Sequence, residues 1–357
     1  MESSHPLIVG AGPIGLACAI SARRRGLDPL VVDAGPIAAS IVRYPVGMTF
    51  FTTPERLEIG GHPLVCSGAK ATREEALKYY RGVARAEGIR VRTYTRLIGA
   101  SRVNGTLQAR VLTRLGEERM PCSVLVLATG YFEHPNLLGV PGEDLPEVSH
   151  YAEEAHLTAG LDVVIVGGKN SAVEHALSCY RAGARVTLVY RRQELRPSVK
   201  YWLRPDLVNR IRAGEIAARF GSTVERIEAG GVTIAGNGEK RGNGEDTGNG
   251  ENRGNGEREV LPADRVYLLT GYHPDFSLFS ALGIEQDDES CRPRLDPLTL
   301  ESNVPGIHLA GSATAGRNTS EVFIENGRYD GEKIFGDPES RARAEQRYGS
   351  ERRELGE

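Results

Sequence analysis

The chain has 357 residues and no Cys-x-x-Cys pair. Its five cysteines, Cys18, Cys66, Cys122, Cys179 and Cys291, are scattered and odd in number. That pattern excludes a vicinal redox dithiol and argues against a disulfide scaffold. It fits reduced thiols in a cytoplasm. No apolar run approaches the ~18 residues that a membrane-crossing helix requires. The formal charge is only −3, so no nucleic-acid footprint is expected. The N-terminus does not read as a signal peptide, because its first apolar run is short and turns straight into Gly10. No metal-ligand cluster stands out. With 40% hydrophobic and 25% charged residues, the expectation is a globular protein of one to three domains.

What is present is a glycine turn in a telling place. Leu7, Ile8 and Val9 form an apolar strand-like run that enters Gly10, Gly12 and Gly15. A helix-like segment follows, then a second apolar run (Leu30, Val31, Val32) and Asp33. This is the dinucleotide-binding fingerprint: Gly10 for the turn, Gly12 for close approach of a pyrophosphate, Gly15 for helix–strand packing, and the acid for a ribose. The helix N-terminus offers free N–H groups to the phosphates.

The same unit occurs a second time at residues 162–192. Gly10 to Asp33 and Gly167 to Tyr190 are both 23 positions apart, so the copies are in register. Two nucleotide sites in one chain suggest an electron-transfer flavoprotein. In the second copy the acid is replaced by Tyr190, followed by Arg191 and Arg192, and Lys169 stands at a glycine-type position of the turn. Guanidiniums pair with a 2′-phosphate, whereas an acid repels it. The first copy is therefore read as the FAD site and the second as the NADP(H) site.

Residues 44–61 are aromatic and threonine-rich, neither clean helix nor clean strand, and suited to wrapping a flavin ring. Residues 72–88 read as helix, and 89–113 and Val124–Ala128 as strands. Val124–Tyr131 and Val266–Tyr272 are both apolar strands ending in Thr-Gly-Tyr, so the duplication reaches beyond the glycine turns. Residues 236–257 hold four Gly-Asn-Gly-Glu copies and no apolar side chain, which predicts a disordered hairpin tip. A calcium-binding reading of the six-residue period is disfavoured, because each copy has few acids. Thr319–Ile334 reads as a helix with Ser320 as its cap, and the last ~20 residues as a frayed, charged end. The expected fold is α/β, with two Rossmann-like domains. The FAD domain is 1–152 with 272–357, and the NADPH domain, 153–271, is inserted in it.

These motifs resemble the thioredoxin reductase-like flavoproteins, and within them the bacillithiol disulfide reductase family. The likeness is carried by Met48–Gly61, Gly167-Gly168-Lys169-Asn170-Ser171-Ala172, Pro197-Ser198-Val199-Lys200 and Phe323-Ile324-Glu325-Asn326-Gly327-Arg328. The resemblance implies hydride transfer from NADPH to FAD and on to a low-molecular-weight disulfide, in a homodimer or higher homo-oligomer. It places FAD on Gly10, Gly12, Pro13, Ile14, Gly15, Asp33, Thr49, Thr129, Gly130, Gly311, Ser312, Glu321 and Val322. It places NADPH on Gly168, Lys169, Asn170, Ser171, Arg191 and Arg192. Two positions depart from the family. Ile14 stands where that branch typically has a cysteine, and Ser312 where many relatives have an aspartate for the ribityl chain. No catalytic residue is assigned. Cys18, one turn deeper in the helix, is the one candidate thiol there, and a buried packing role suits it better. A cysteine-independent reductase donating to ferredoxin or flavodoxin is the alternative. A flavin monooxygenase, suggested by Ala128–Tyr131 and by His150 beside Tyr151, comes after it, and a nucleotide-binding protein without turnover last.

Overall fold

Both glycine turns sit where an extended strand hands over to a helix. The computed structural model describes residues 5–236 and 258–354. Strand His5–Val9, helix Pro13–Arg24 and strand Leu30–Val32 form the first βαβ unit. Asp162–Val166, Asn170–Arg181 and Arg185–Tyr190 form the second. The chain divides into two compact units, one of residues 1–134 and 272–357, the other of 135–271.

In the first unit, parallel strands run Arg90–Arg92, Leu30–Val32, His5–Val9, Gly116–Leu127 and Ile307–Leu309. The long strand Gly116–Leu127 has a second use. Its first half pairs antiparallel with Thr106–Thr113, which pairs with Arg96–Val103. The parallel strands are almost fully buried, as their unbroken apolar runs require when both faces are covered. The helix expected at 72–88 is Arg73–Ala86. Thr72 accepts the Glu75 N–H, and the Glu75 carboxylate accepts the Thr72 N–H, so a capping box sets its start.

The second unit repeats the plan. Five parallel strands run in the order Ala217–Phe220, Arg185–Tyr190, Asp162–Val166, Arg265–Leu268, Val148–Ser149. A three-stranded antiparallel sheet, Ser222–Glu228, Gly230–Gly236 and Arg258–Ala263, accompanies them. The last two strands pair Ala235 with Arg258, so the repeat-bearing segment does connect a hairpin. Its tip, residues 237–257, lies outside the described residues.

Two expectations are corrected. The junction between units falls at 134/135 rather than 152/153. The reason is that Val148–Ser149 pairs in parallel with Val266–Tyr267 and so completes the second sheet. The helix expected over 319–334 is two short ones, Ile324–Gly327 and Asp330–Phe335. Asn326 delays the first. Its carboxamide accepts the Phe323 N–H at 2.8 Å and donates to the Glu321 carbonyl at 2.9 Å, holding the preceding residues in a turn. No helix among the described residues is long and apolar enough to cross a membrane.

Candidate active site

The first unit encloses a long cavity that begins at the glycine turn. Gly10, Gly12, Pro13, Ile14, Asp33, Thr129, Gly130, Gly311, Ser312 and Val322 all line it. Gly10 has φ +110°, and a Cβ there would lie 2.2 Å from the Ala128 carbonyl oxygen. Gly15 lies behind the wall. Its missing Cβ lets the helix approach to where that atom would sit 1.9 Å from the Gly10 carbonyl oxygen. Gly12 is the opposite case: a Cβ there would meet nothing within 4 Å. Gly12 thus opens onto empty space at a helix N-terminus, which is the cradle a pyrophosphate needs.

Asp33 is buried and double-bonded to the turn. Its carboxylate accepts the Ala11 N–H at 2.6 Å and the Gly35 N–H at 2.7 Å. Burial still leaves its pKa above the usual carboxylate range, despite those two donors. Thr129 supplies a further sign of a missing ligand. Its hydroxyl is buried in the described structure without a hydrogen-bond partner, on the wall of the same cavity. Buried hydroxyls are ordinarily paired, so this one fits a ligand group. The residues present therefore fit an FAD.

At the other end the cavity is walled by Tyr44, Met48, Phe50, Phe51, Thr52 and Leu57. This is the stretch read as a flavin wrap. Tyr80 fastens it from behind, donating to the Leu57 carbonyl at 2.9 Å. Tyr44 meets Phe132 edge-on at 5.3 Å, and Phe132 meets Tyr272 at 4.4 Å, forming an aromatic sleeve. Thr49 does not reach this wall; its backbone bridges to Thr72, and Thr52 lines the cavity instead. Glu321 is likewise off the wall, paired with Arg292.

Ile14 is held by two glycines. A Cβ on Gly311 or Gly327 would fall 2.6 or 2.7 Å from its terminal methyl. Cys18 is fully buried, and Gly331 packs on its backbone. Burial and the nearby carboxylates of Asp330 and Glu332 push its thiol well above the ordinary value. A thiolate is disfavoured there, and Cys18 does not line the cavity.

Asp330 was not singled out in the sequence, yet it fixes the far wall. It accepts the Gly311 N–H at 2.7 Å while itself buried. Burial raises its pKa from 3.8 to about 7, against the Gly311 hydrogen bond and Lys333. The folded chain then keeps a proton that the unfolded chain releases above pH ~4. Stability therefore declines as pH rises from about 4 to 7, by up to about 4 kcal/mol. Asp330→Asn keeps the carbonyl acceptor and removes the titration. Thermal melts at pH 5 and pH 8 should differ less for the variant than for the wild type; an unchanged difference would remove Asp330 as the cause.

In the second unit Lys169 occupies the N-cap of helix Asn170–Arg181, as Gly12 does in the first. Its ammonium is held below the ordinary lysine value, chiefly by desolvation and then by Arg196, Arg191 and Arg192. Four cations crowd one helix start, an arrangement suited to a polyanion. Gly168 lies under the Tyr190 ring, which a Cβ would meet at 2.4 Å. The Asn170 carboxamide accepts the Lys200 N–H at 2.9 Å, anchoring the neighbouring loop, and Ser171 is exposed in the first helical turn. The reading missed Arg196, which lies only four residues beyond Arg192 in the same basic run.

Comparison with known proteins agrees with this geometry. The family described as pyridine nucleotide-disulphide oxidoreductase matches residues 7–311. Bacilliredoxin reductase Bdr of Bacillus subtilis (strain 168) is 38% identical over 334 residues, covering 94% of this chain and 97% of its own. The solved bacillithiol disulfide reductase Bdr (YpdA) from Bacillus cereus matches with a TM-score of 0.86 at 37% identity, covering 95% of this chain and 99% of that one. The Staphylococcus aureus structure of the same title matches at 0.84 and 32% identity, covering 97% and 99%. The chain belongs to the pyridine nucleotide-disulphide oxidoreductases, flavoprotein enzymes that use FAD with NAD(P)H as reductant.

Proposed function

We propose that this enzyme reduces bacillithiol disulfide with NADPH. The observation that carries the acceptor is the 38% identity to a bacilliredoxin reductase over nearly the whole of both chains. The choice of NADPH over NADH rests on Arg191 and Arg192, two of the cations gathered around Lys169 at the second helix start. FAD held in this cavity would supply the hydride chemistry that links the nicotinamide to the acceptor. The turn at Gly10–Gly15 and the helix N-terminus behind it hold the pyrophosphate. Asp33 takes the ribose, and Thr129, Gly130 and Ser312 supply polar contacts along the cavity. The sleeve of Tyr44, Phe50 and Phe132 keeps water from the reacting end. All five cysteines are free, consistent with a reducing cytoplasm, and we infer a homo-oligomer as the working form.

None of the cysteines lines the cavity, so the disulfide is split without an enzyme thiol. The test is anaerobic. NADPH should bleach the yellow protein, and bacillithiol disulfide should restore the colour catalytically. Cys18→Ala should turn over at the wild-type rate within about twofold, since surface-remote packing changes act on stability rather than chemistry. Reoxidation by ferredoxin or flavodoxin but not by the disulfide would overturn the proposed acceptor.

A further inference from the structure

Glu325 is a carboxyl group that the cofactor contacts above leave unused. It lines the flavin cavity, in the same wall as Ile14, Tyr44, Met48 and Val322, and is only 9% exposed. The charged and titratable groups facing it are Arg328 and Arg56, which favour its ionised form, Glu351, which opposes it, and the buried phenols Tyr44 and Tyr80. Arg328 is committed elsewhere, donating to the Glu55 and Glu58 carbonyls and to Glu351. Burial outweighs the rest and raises the Glu325 pKa.

The reaction itself asks for such a group. Splitting a disulfide needs a hydride equivalent and one proton. The S–S bond breaks, one sulfur leaves as S–H with the electron pair from NADPH, and the other leaves as a thiolate that must be protonated. No cysteine lines the cavity to take that part. We propose that Glu325, whose carboxyl lines the cavity, is the proton donor: it protonates the departing thiolate and recovers its proton from solvent. This rests on the disulfide reading of the site.

Two readouts separate this role from packing. The first uses no disulfide. Arrival of negative charge on the bound flavin raises the pKa of a neighbouring carboxyl, so reduction takes up an extra proton between the two values. The wild-type flavin midpoint potential should fall with pH more steeply in that interval, and Glu325→Gln should lose the steep segment. The second is turnover. Glu325→Gln should cut disulfide reduction roughly 100-fold. The wild-type rate should fall as pH rises through the carboxyl pKa, while the variant stays flat. If Glu325→Gln fails to hold FAD, Glu325→Asp keeps the acid and must keep the steep segment. Parallel potential plots, or undiminished disulfide turnover, overturn the proposal. The potential measurement remains decisive even if bacillithiol disulfide proves not to be the acceptor.

Discussion

Gly12→Val should purify folded but colourless. The expectation rests on the contrast between two glycines in one turn. At Gly12 a Cβ meets nothing and the backbone, at φ −74°, is one that any residue adopts, so a side chain can be placed there in the apoprotein. It then fills the space in which the pyrophosphate must lie. Several charge-assisted hydrogen bonds to helix N–H groups are lost together, each worth roughly 1.5–3 kcal/mol. Affinity for FAD should fall by at least ~100-fold by the same arithmetic. Gly10→Ala should behave differently. Its φ of +110° is hostile to any side chain, and the new atom would lie 2.2 Å from a backbone oxygen. Strain of ~1–3 kcal/mol at the dihedral adds to the clash, so that variant should fail to fold. Flavin absorbance and circular dichroism melts read the two outcomes separately. A yellow Gly12→Val protein with full flavin content would remove the FAD assignment of this turn.

The double variant Arg191→Ala/Arg192→Ala should separate the two nicotinamide nucleotides. The two arginines directly follow Tyr190, the register partner of Asp33, at the end of strand Arg185–Tyr190. Loss of one or two charge-assisted contacts to a 2′-phosphate corresponds to roughly a 10–100-fold rise in KM for NADPH. The KM for NADH, which has no such phosphate, should stay within about threefold. Added salt should erode the wild-type preference, because exposed charges are screened. Lys169→Ala should instead weaken both nucleotides alike, since a pyrophosphate is common to them. Equal effects of the double variant on NADPH and NADH would rule out recognition of the 2′-phosphate by these arginines.

Features written in short-range spacing were legible before the structure. The two glycine turns and the strands on either side of them follow from hydrophobic period and glycine position alone. The stretch 44–61 was recognisable as a wrap because it fits neither period. Its residue-level detail was not: whether Thr49 or Thr52 faces the cavity depends on the bridge between residue 49 and residue 72, which no local pattern encodes. Glu321 was lost for a similar reason. The Asn326 carboxamide reshapes the backbone before the helix, and Arg292 then claims the Glu321 side chain. Asp330 and the contact between Phe132 and Tyr272 are tertiary. Each joins segments brought together only by the returning C-terminal part, so single-sequence reasoning had no handle on them.

That return has a consequence for how the enzyme is made. Residues 135–271 leave the ribosome with the partners of the parallel sheet from Val148–Ser149 to Arg265–Leu268 already present. The unit that surrounds them in the chain is still unfinished. Its strand at Leu125–Leu127 waits for Ile307–Leu309, and the Gly311 turn waits for Asp330. At ~5–20 residues per second, translation from Leu127 to Ile307 takes roughly 9–36 s. FAD capture is thus a late event in biogenesis, gated by residues from Ile307 onward. A transcript truncated near its 3′ end should give a nucleotide-binding fragment that never turns yellow.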